Sequence, residues 1–136
     1  MIKGIDHIAI AVEDIDASIA LFETVFGMKL KHREDVGEFK ARVATLETGG
    51  TDIELVQATS PESPIAKFVA ERGAGIHHIA LEVGDIVAAL ASLQKQGVQL
   101  IDTKARPGKQ GSRVAFIHPK ATGRVLCELV ENRKKQ

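Results

Sequence analysis

Four side chains in this sequence have the types and the spacing of a metal site: His7, Glu54, His78 and Glu128. Two imidazoles and two carboxylates form a borderline-to-hard donor set that suits Co²⁺, Mn²⁺, Zn²⁺ or Ni²⁺. On an octahedral ion they leave positions open for water or substrate. A thiolate set would point to structural zinc instead. A lone strand histidine is usually a hydrogen-bonded structural residue, because buried polar groups need partners. Here each His is followed by a Glu at a similar interval, 47 residues from His7 to Glu54 and 50 from His78 to Glu128. That recurrence favours ligands.

The intervals match because the chain repeats itself. Residues 5–21 read IDHIAIAVEDIDASIAL and residues 76–92 read IHHIALEVGDIVAALAS. Each copy opens with strand-like apolar alternation, reaches Asp14 or Asp85 at a helix N-cap, and continues with apolar residues at helical spacing. Gly27 and Gly97 stand where a helix would end in a left-handed residue. Further strand-like segments follow, with a turn at Gly49 and Gly50 in the first copy and a Pro/Gly loop from Arg106 to Gly111 in the second. The last strands correspond as IELV (Ile53 to Val56) and CELV (Cys127 to Val130). Internal repetition of this kind sets the organisation: two tandem βαβββ modules, about 3–60 and 74–131, joined by a short helix about 63–72 that begins at Pro64. The expected class is α+β. At 136 residues, 44% hydrophobic, the whole chain suits one domain, with neither half stable alone.

Strand alternation then sorts the histidines. Ile5, His7, Ala9 and Ala11 share one face, opposite Ile8, Ile10 and Val12, whose bulk suits packing under a helix. In the second copy His78 and Ala80 share the less bulky face. His77 matches Asp6 and falls on the helix-packing side. Small neighbours leave room for a ligand. Glu54 and Glu128 sit in apolar strands, where an unpartnered carboxylate is costly. Of the remaining candidates, His32 between Lys31 and Arg33 reads as solvated, and His118 before Pro119 as a turn or pocket-rim residue. Cys127 reads as a small core thiol on the face opposite Glu128.

Eighteen basic and eighteen acidic residues balance, so no net field favours nucleic acid or an anionic membrane. A single cysteine excludes an internal disulfide, and the start MIKGIDHIAIAV lacks the core and cleavage site of a signal peptide. The apolar runs are too short to span a bilayer. The expected compartment is the cytoplasm. Nucleophile elbow, P-loop and dinucleotide fingerprint are all missing. The tail from Arg133 to Gln136 reads as frayed.

With a His/Glu pair from each copy of a strand-helix-three-strand unit, residues 2–131 resemble the vicinal oxygen chelate superfamily, or glyoxalase fold. SPIAKF (63–68), GIHHIALEV (75–83) and HPKATGRVLCELVE (118–131) are similar to the methylmalonyl-CoA epimerases within it. The resemblance implies a curved mixed sheet around a metal site with helices on its outer face. It places the ligands at His7, Glu54, His78 and Glu128. It also implies one divalent ion per chain, Co²⁺ first among the four metals, and a homodimer. The implied activity is isomerase chemistry: interconversion of (2R)- and (2S)-methylmalonyl-CoA by proton removal and return at the carbon between thioester and carboxylate. Glu128 would exchange the proton on one face, and Glu54 or a water on the other. Some family members carry Gln at the position of Glu54, and some have a third-strand carboxylate where this chain has Val43. CoA phosphates need cations, and Lys104, Arg106, Lys109, Arg113 and Lys120 cluster around the second-copy loop, as a phosphate site or as a solvated basic surface. The alternatives are a lactoylglutathione lyase (glyoxalase I) and a non-catalytic small-molecule-binding protein of the same fold. Five Phe without Trp or Tyr disfavour a drug-stacking basin.

Overall fold

The structure is a computed structural model and describes residues 1–133; the remainder of the expected frayed tail lies outside the described residues. It divides into two compact units, His7–His77 and Met1–Asp6 with the residues from His78 onward. The class is α+β, with eight strands, paired both parallel and antiparallel, and three α-helices among the described residues.

In the first unit, β1 (Ile2–Ala11, its residues up to Asp6 in the other unit) leads into α1 (Ile15–Phe26), followed by β2 (Lys29–Val36), β3 (Ala41–Glu47), β4 (Asp52–Ala58) and α2 (Pro64–Arg72). The strand order is β2-β3-β4-β1, with β1 parallel to β4 and the other pairs antiparallel. Asp14 caps α1 by accepting the backbone N–H of Ala17 at 3.1 Å, and Gly27 ends it at φ 64°. Ser63 caps α2 through Ile65 N–H, with Pro64 in the first turn.

In the second unit, β5 (Gly75–Val83, its first residues in the other unit) leads into α3 (Ile86–Lys95), then β6 (Arg106–Pro107), β7 (Arg113–Ile117) and β8 (Cys127–Glu131). The order is β5-β8-β7-β6, again with one parallel pair, β5 and β8. Asp85 caps α3 through Ala88 N–H at 3.0 Å. The Pro/Gly loop differs from the expectation at its start. Arg106 and Pro107 form a two-residue strand against Val114 and Arg113 before the turn begins.

Each unit packs its main helix on the sheet face away from the histidines. Ile10 and Val12 join Ile15, Ile19 and Leu55 under α1. Val83, Ala115, Ile117 and Leu129 lie under Ile86, Ala89 and Leu90 of α3. The bulky face of β1 is nevertheless the less buried one. Ile8 and Ile10 are half-buried, whereas Ala9 and Ala11 are fully buried. The reason is the linking helix: Ile65, Phe68 and Val69 of α2 pack with Ala11, Val43 and Val56, covering the end of the face that carries His7.

Candidate metal centre

The parallel pairs position the candidate ligands. Ala9 stands in register with Glu54, and Ala80 with Glu128. Each histidine lies two residues before that alanine, so His and Glu share a face with only a methyl between them. All four polar residues are buried, at 3% exposure for His7, 6% for Glu54, 5% for His78 and 6% for Glu128. His7 Nε2 is 3.4 Å from Glu54 Oε2, and His78 Nε2 is 3.6 Å from Glu128 Oε1. His7, Glu54 and His78 each bring a ligand atom within 4.8 Å of the other two. Glu128 is outside that group of three and enters through its contact with His78.

The separation within each His–Glu pair suits two ligands of one ion. Donor atoms at adjacent positions around a metal, each about 2.0–2.2 Å from it, lie about 3–3.5 Å apart. The observed pairs sit at or just beyond that range, longer than an ordinary hydrogen bond of about 2.7–3.2 Å. Imidazole and carboxylate also supply the donor chemistry that a borderline divalent ion takes.

The strands outside each Glu add a second layer. Thr45 of β3 lies directly across the ladder from Glu54 and is 1% exposed. Phe116 of β7 is the equivalent residue across from Glu128, and its ring meets His78 edge-on at 5.3 Å. Phe116 is itself held by Asp102, a buried carboxylate whose Oδ2 accepts the Phe116 backbone N–H at 2.9 Å. The sequence reading singled out neither Thr45 nor Asp102. Thr45 falls on the His7/Glu54 face only once β3 is registered against β4, which the sequence alone does not give.

His77 turns away from the cluster and packs edge-on against Phe68 of α2 at 4.9 Å. His32 is not simply solvated, because its Nε2 pairs with Glu34 Oε1 at 2.9 Å. His118 caps the short turn after β7 by accepting Lys120 N–H through Nδ1. Val43 is 4% exposed within an apolar cluster and brings no carboxylate to β3. The five basic candidates divide. Arg106 is tied to Asp102 at 3.2 Å and Arg113 lies 3.6 Å from Glu131, whereas Lys104 and Lys120 are exposed and Lys109 is half-buried. Hydrogen bonds from Arg33 to Asp16 and from Arg42 to Asp35 hold both carboxyls below their ordinary range, and Asp35 raises Arg42 in turn.

The sequence matches the Glyoxalase/Bleomycin resistance protein/Dioxygenase superfamily over residues 6–116. The chain belongs to that superfamily. Among superfamily relatives, an uncharacterized protein of Bacillus subtilis, YqjC, is 39% identical over 132 residues, 97% of this chain and 94% of that protein. A methylmalonyl-CoA epimerase from Mycobacterium tuberculosis is 41% identical with a TM-score of 0.94, covering 98% of this chain and 90% of the other. Another methylmalonyl-CoA epimerase, solved in complex with methylmalonyl-CoA and NH4+, is 35% identical with a TM-score of 0.93, covering 97% and 96%. The superfamily member described here is thus similar to known isomerases, and it carries a buried His/Glu/His group suited to a divalent ion.

Proposed function

We propose that this protein is a metal-dependent epimerase that interconverts (2R)- and (2S)-methylmalonyl-CoA, with His7, Glu54, His78 and Glu128 as the ligands of one divalent ion. The observation that carries the reading is the buried His7/Glu54/His78 group, in a chain similar over nearly its full length to an epimerase solved with that substrate. When bound, the ion supplies Lewis-acid stabilisation of the negative charge that develops on substrate oxygens as the carbon between thioester and carboxylate loses its proton.

The chain's own residues supply the rest. Ala9 and Ala80 leave space beside each carboxylate. Phe116 stands against His78 and limits the ring's orientations. Glu128 exchanges the proton on one face of the substrate carbon, and Glu54 or a water serves the other, by general acid–base transfer. Lys104, Lys109 and Lys120 are the cations for CoA phosphates, with Arg106 and Arg113 contributing only as far as their pairs with Asp102 and Glu131 allow.

The test is incubation of the Co²⁺-loaded protein with methylmalonyl-CoA in D₂O, following deuterium at the 2-position. Incorporation well above a Glu128→Gln control supports the epimerase. Incorporation no greater than that control removes it. One observation favours a second reading, a lactoylglutathione lyase: Val43 leaves β3 without the carboxylate some epimerases have there, so the acid–base groups are confined to the ligand set. Turnover of the methylglyoxal–glutathione adduct in place of methylmalonyl-CoA would establish it.

A further inference from the structure

The two repeats differ at one equivalent position beside the site. Across the antiparallel ladder from Glu128 stands Phe116, an apolar ring against His78. Across the ladder from Glu54 stands Thr45, a hydroxyl. Thr45 is 1% exposed, more deeply buried than the His7 and Glu54 side chains beside it. Directly opposed residues in such a pair have Cβ atoms about 4.5–5.5 Å apart, so the Thr45 hydroxyl and the Glu54 carboxylate share one pocket of the sheet face. A buried hydroxyl needs a hydrogen-bonding partner. On the same face its polar neighbours are Glu54 and, two residues back along β1, His7, with His32 opposite it on β2, where His32 Nε2 is taken up by Glu34 Oε1 at 2.9 Å; Val43, Val56, Ala9 and Ala11 present only carbon.

We propose that the Thr45 hydroxyl is a positioning group for the Glu54–His7 pair, fixing the orientation in which the two side chains meet a divalent ion. The inference rests on the metal reading above and adds a residue that it did not include. Glu54 is then the anchored carboxylate, held from β3 as well as by its own strand. Across the ladder from Glu128 the equivalent position is a ring with no hydroxyl. The difference between the repeats thereby gives the two carboxylates different neighbours on the outer strand. Groups that orient metal ligands from behind typically contribute about 10–100-fold in metal affinity.

The test uses the full chain without substrate. Co²⁺ is titrated into the wild type, Thr45→Val and Thr45→Ser, with affinity read by calorimetry and the visible Co²⁺ spectrum recorded, while thermal unfolding of the metal-free proteins reports packing. Thr45→Val keeps the side-chain shape without the hydroxyl. The expected result is an affinity loss of about tenfold or more and a changed spectrum, with wild-type behaviour restored in Thr45→Ser. Unchanged affinity in Thr45→Val overturns the proposal alone, as does a Thr45→Ser protein that binds as weakly as Thr45→Val. A wild type that binds no divalent ion overturns both this proposal and the metal reading.

Discussion

Asp102 accepts the backbone N–H of Phe116 at 2.9 Å through one carboxylate oxygen, and through the other it takes a guanidinium N–H of Arg106 at 3.2 Å. The first contact pins β7 at the residue whose ring stands against His78. The second draws Arg106, the first residue of β6, inward. Asp102→Ala leaves a part-buried backbone N–H without its acceptor, at an expected cost of about 1–3 kcal/mol in urea unfolding. Arg106→Ala removes the half-exposed ion pair with Asp102 and should cost under about 1 kcal/mol. Equal losses from the two variants would show that Asp102 acts through the ion pair and not through β7.

His77 and His78 are adjacent in sequence and opposite in duty. His78 belongs to the buried group with His7 and Glu54, and His77 packs on Phe68. A ligand that binds only the folded state raises stability by about 2.7 kcal/mol at a hundredfold excess over its dissociation constant. Co²⁺ should therefore raise the unfolding temperature of wild type and His77→Ala and leave His78→Ala unmoved. Chelation by EDTA should reverse the rise. Persistence of the full metal shift in His78→Ala would remove His78 from the site.

That distinction was legible in the sequence. Repeat register aligned His78 with His7 through Asp85 and Asp14, and both aspartates do cap their helices. What was not legible depends on contacts formed only when strands come together. Asp102 lies 14 residues from the N–H it accepts, within a stretch of no periodic pattern. The burial of Ala11 depends on where α2 comes to rest, which strand alternation does not encode. Thr45 gains its significance from cross-strand register with Glu54, and a lone threonine in a strand carries no signal by itself.

The repeat also extends to a device absent from the sequence reading. Three residues beyond each candidate Glu, a side chain turns back to the first residue of the preceding helix. Gln57 Oε1 accepts Ile15 N–H at 2.8 Å, and Glu131 Oε1 accepts Ile86 N–H at 3.1 Å. Helix N-termini carry unsatisfied donors, and an acceptor there contributes about 0.5–2 kcal/mol. Gln57→Ala and Glu131→Ala should each lower stability by that order in denaturant titrations. Glu131→Gln keeps an acceptor for Ile86 and should lose much less. A Glu131→Gln protein as unstable as Glu131→Ala would shift the weight to the ion pair with Arg113.

The exposed pair of Asp35 and Arg42 gives a signed pH effect. The hydrogen bond from Arg42 holds the Asp35 carboxyl below its ordinary value of 3.8 in the folded state. A lowered folded value means the stabilisation is present above 3.8 and is lost as pH falls through the lowered value. The stability difference between wild type and Asp35→Asn should be small and favour wild type near neutral pH, then vanish in strong acid. A difference that grows on acidification would contradict the assignment.

Two glycines should fail on substitution for different reasons, and the contrast tests how tightly the turn before β7 is built. Gly27 has φ 64°, with open space where a Cβ would point, so Gly27→Ala suffers only the left-handed backbone penalty of about 1–2 kcal/mol. Asn tolerates that conformation better and should recover part of the loss. Gly108 has the opposite character. Its backbone is extended, at φ −121°, yet an added Cβ would lie 2.6 Å from Ser112 Oγ and 2.7 Å from Val114 Cγ1. Both neighbours are buried on the face of β7 that also carries Phe116, so neither side chain can swing clear without moving the strand. Gly108→Ala should cost about 1–3 kcal/mol as overpacking, and because β7 must shift, Co²⁺ affinity should fall with it. Gly27→Ala should leave Co²⁺ affinity unchanged at comparable loss of stability, since α1 can fray at Gly27 without disturbing β3 or β4. Loss of affinity in both variants would mean that metal binding follows global stability and not the placement of β7.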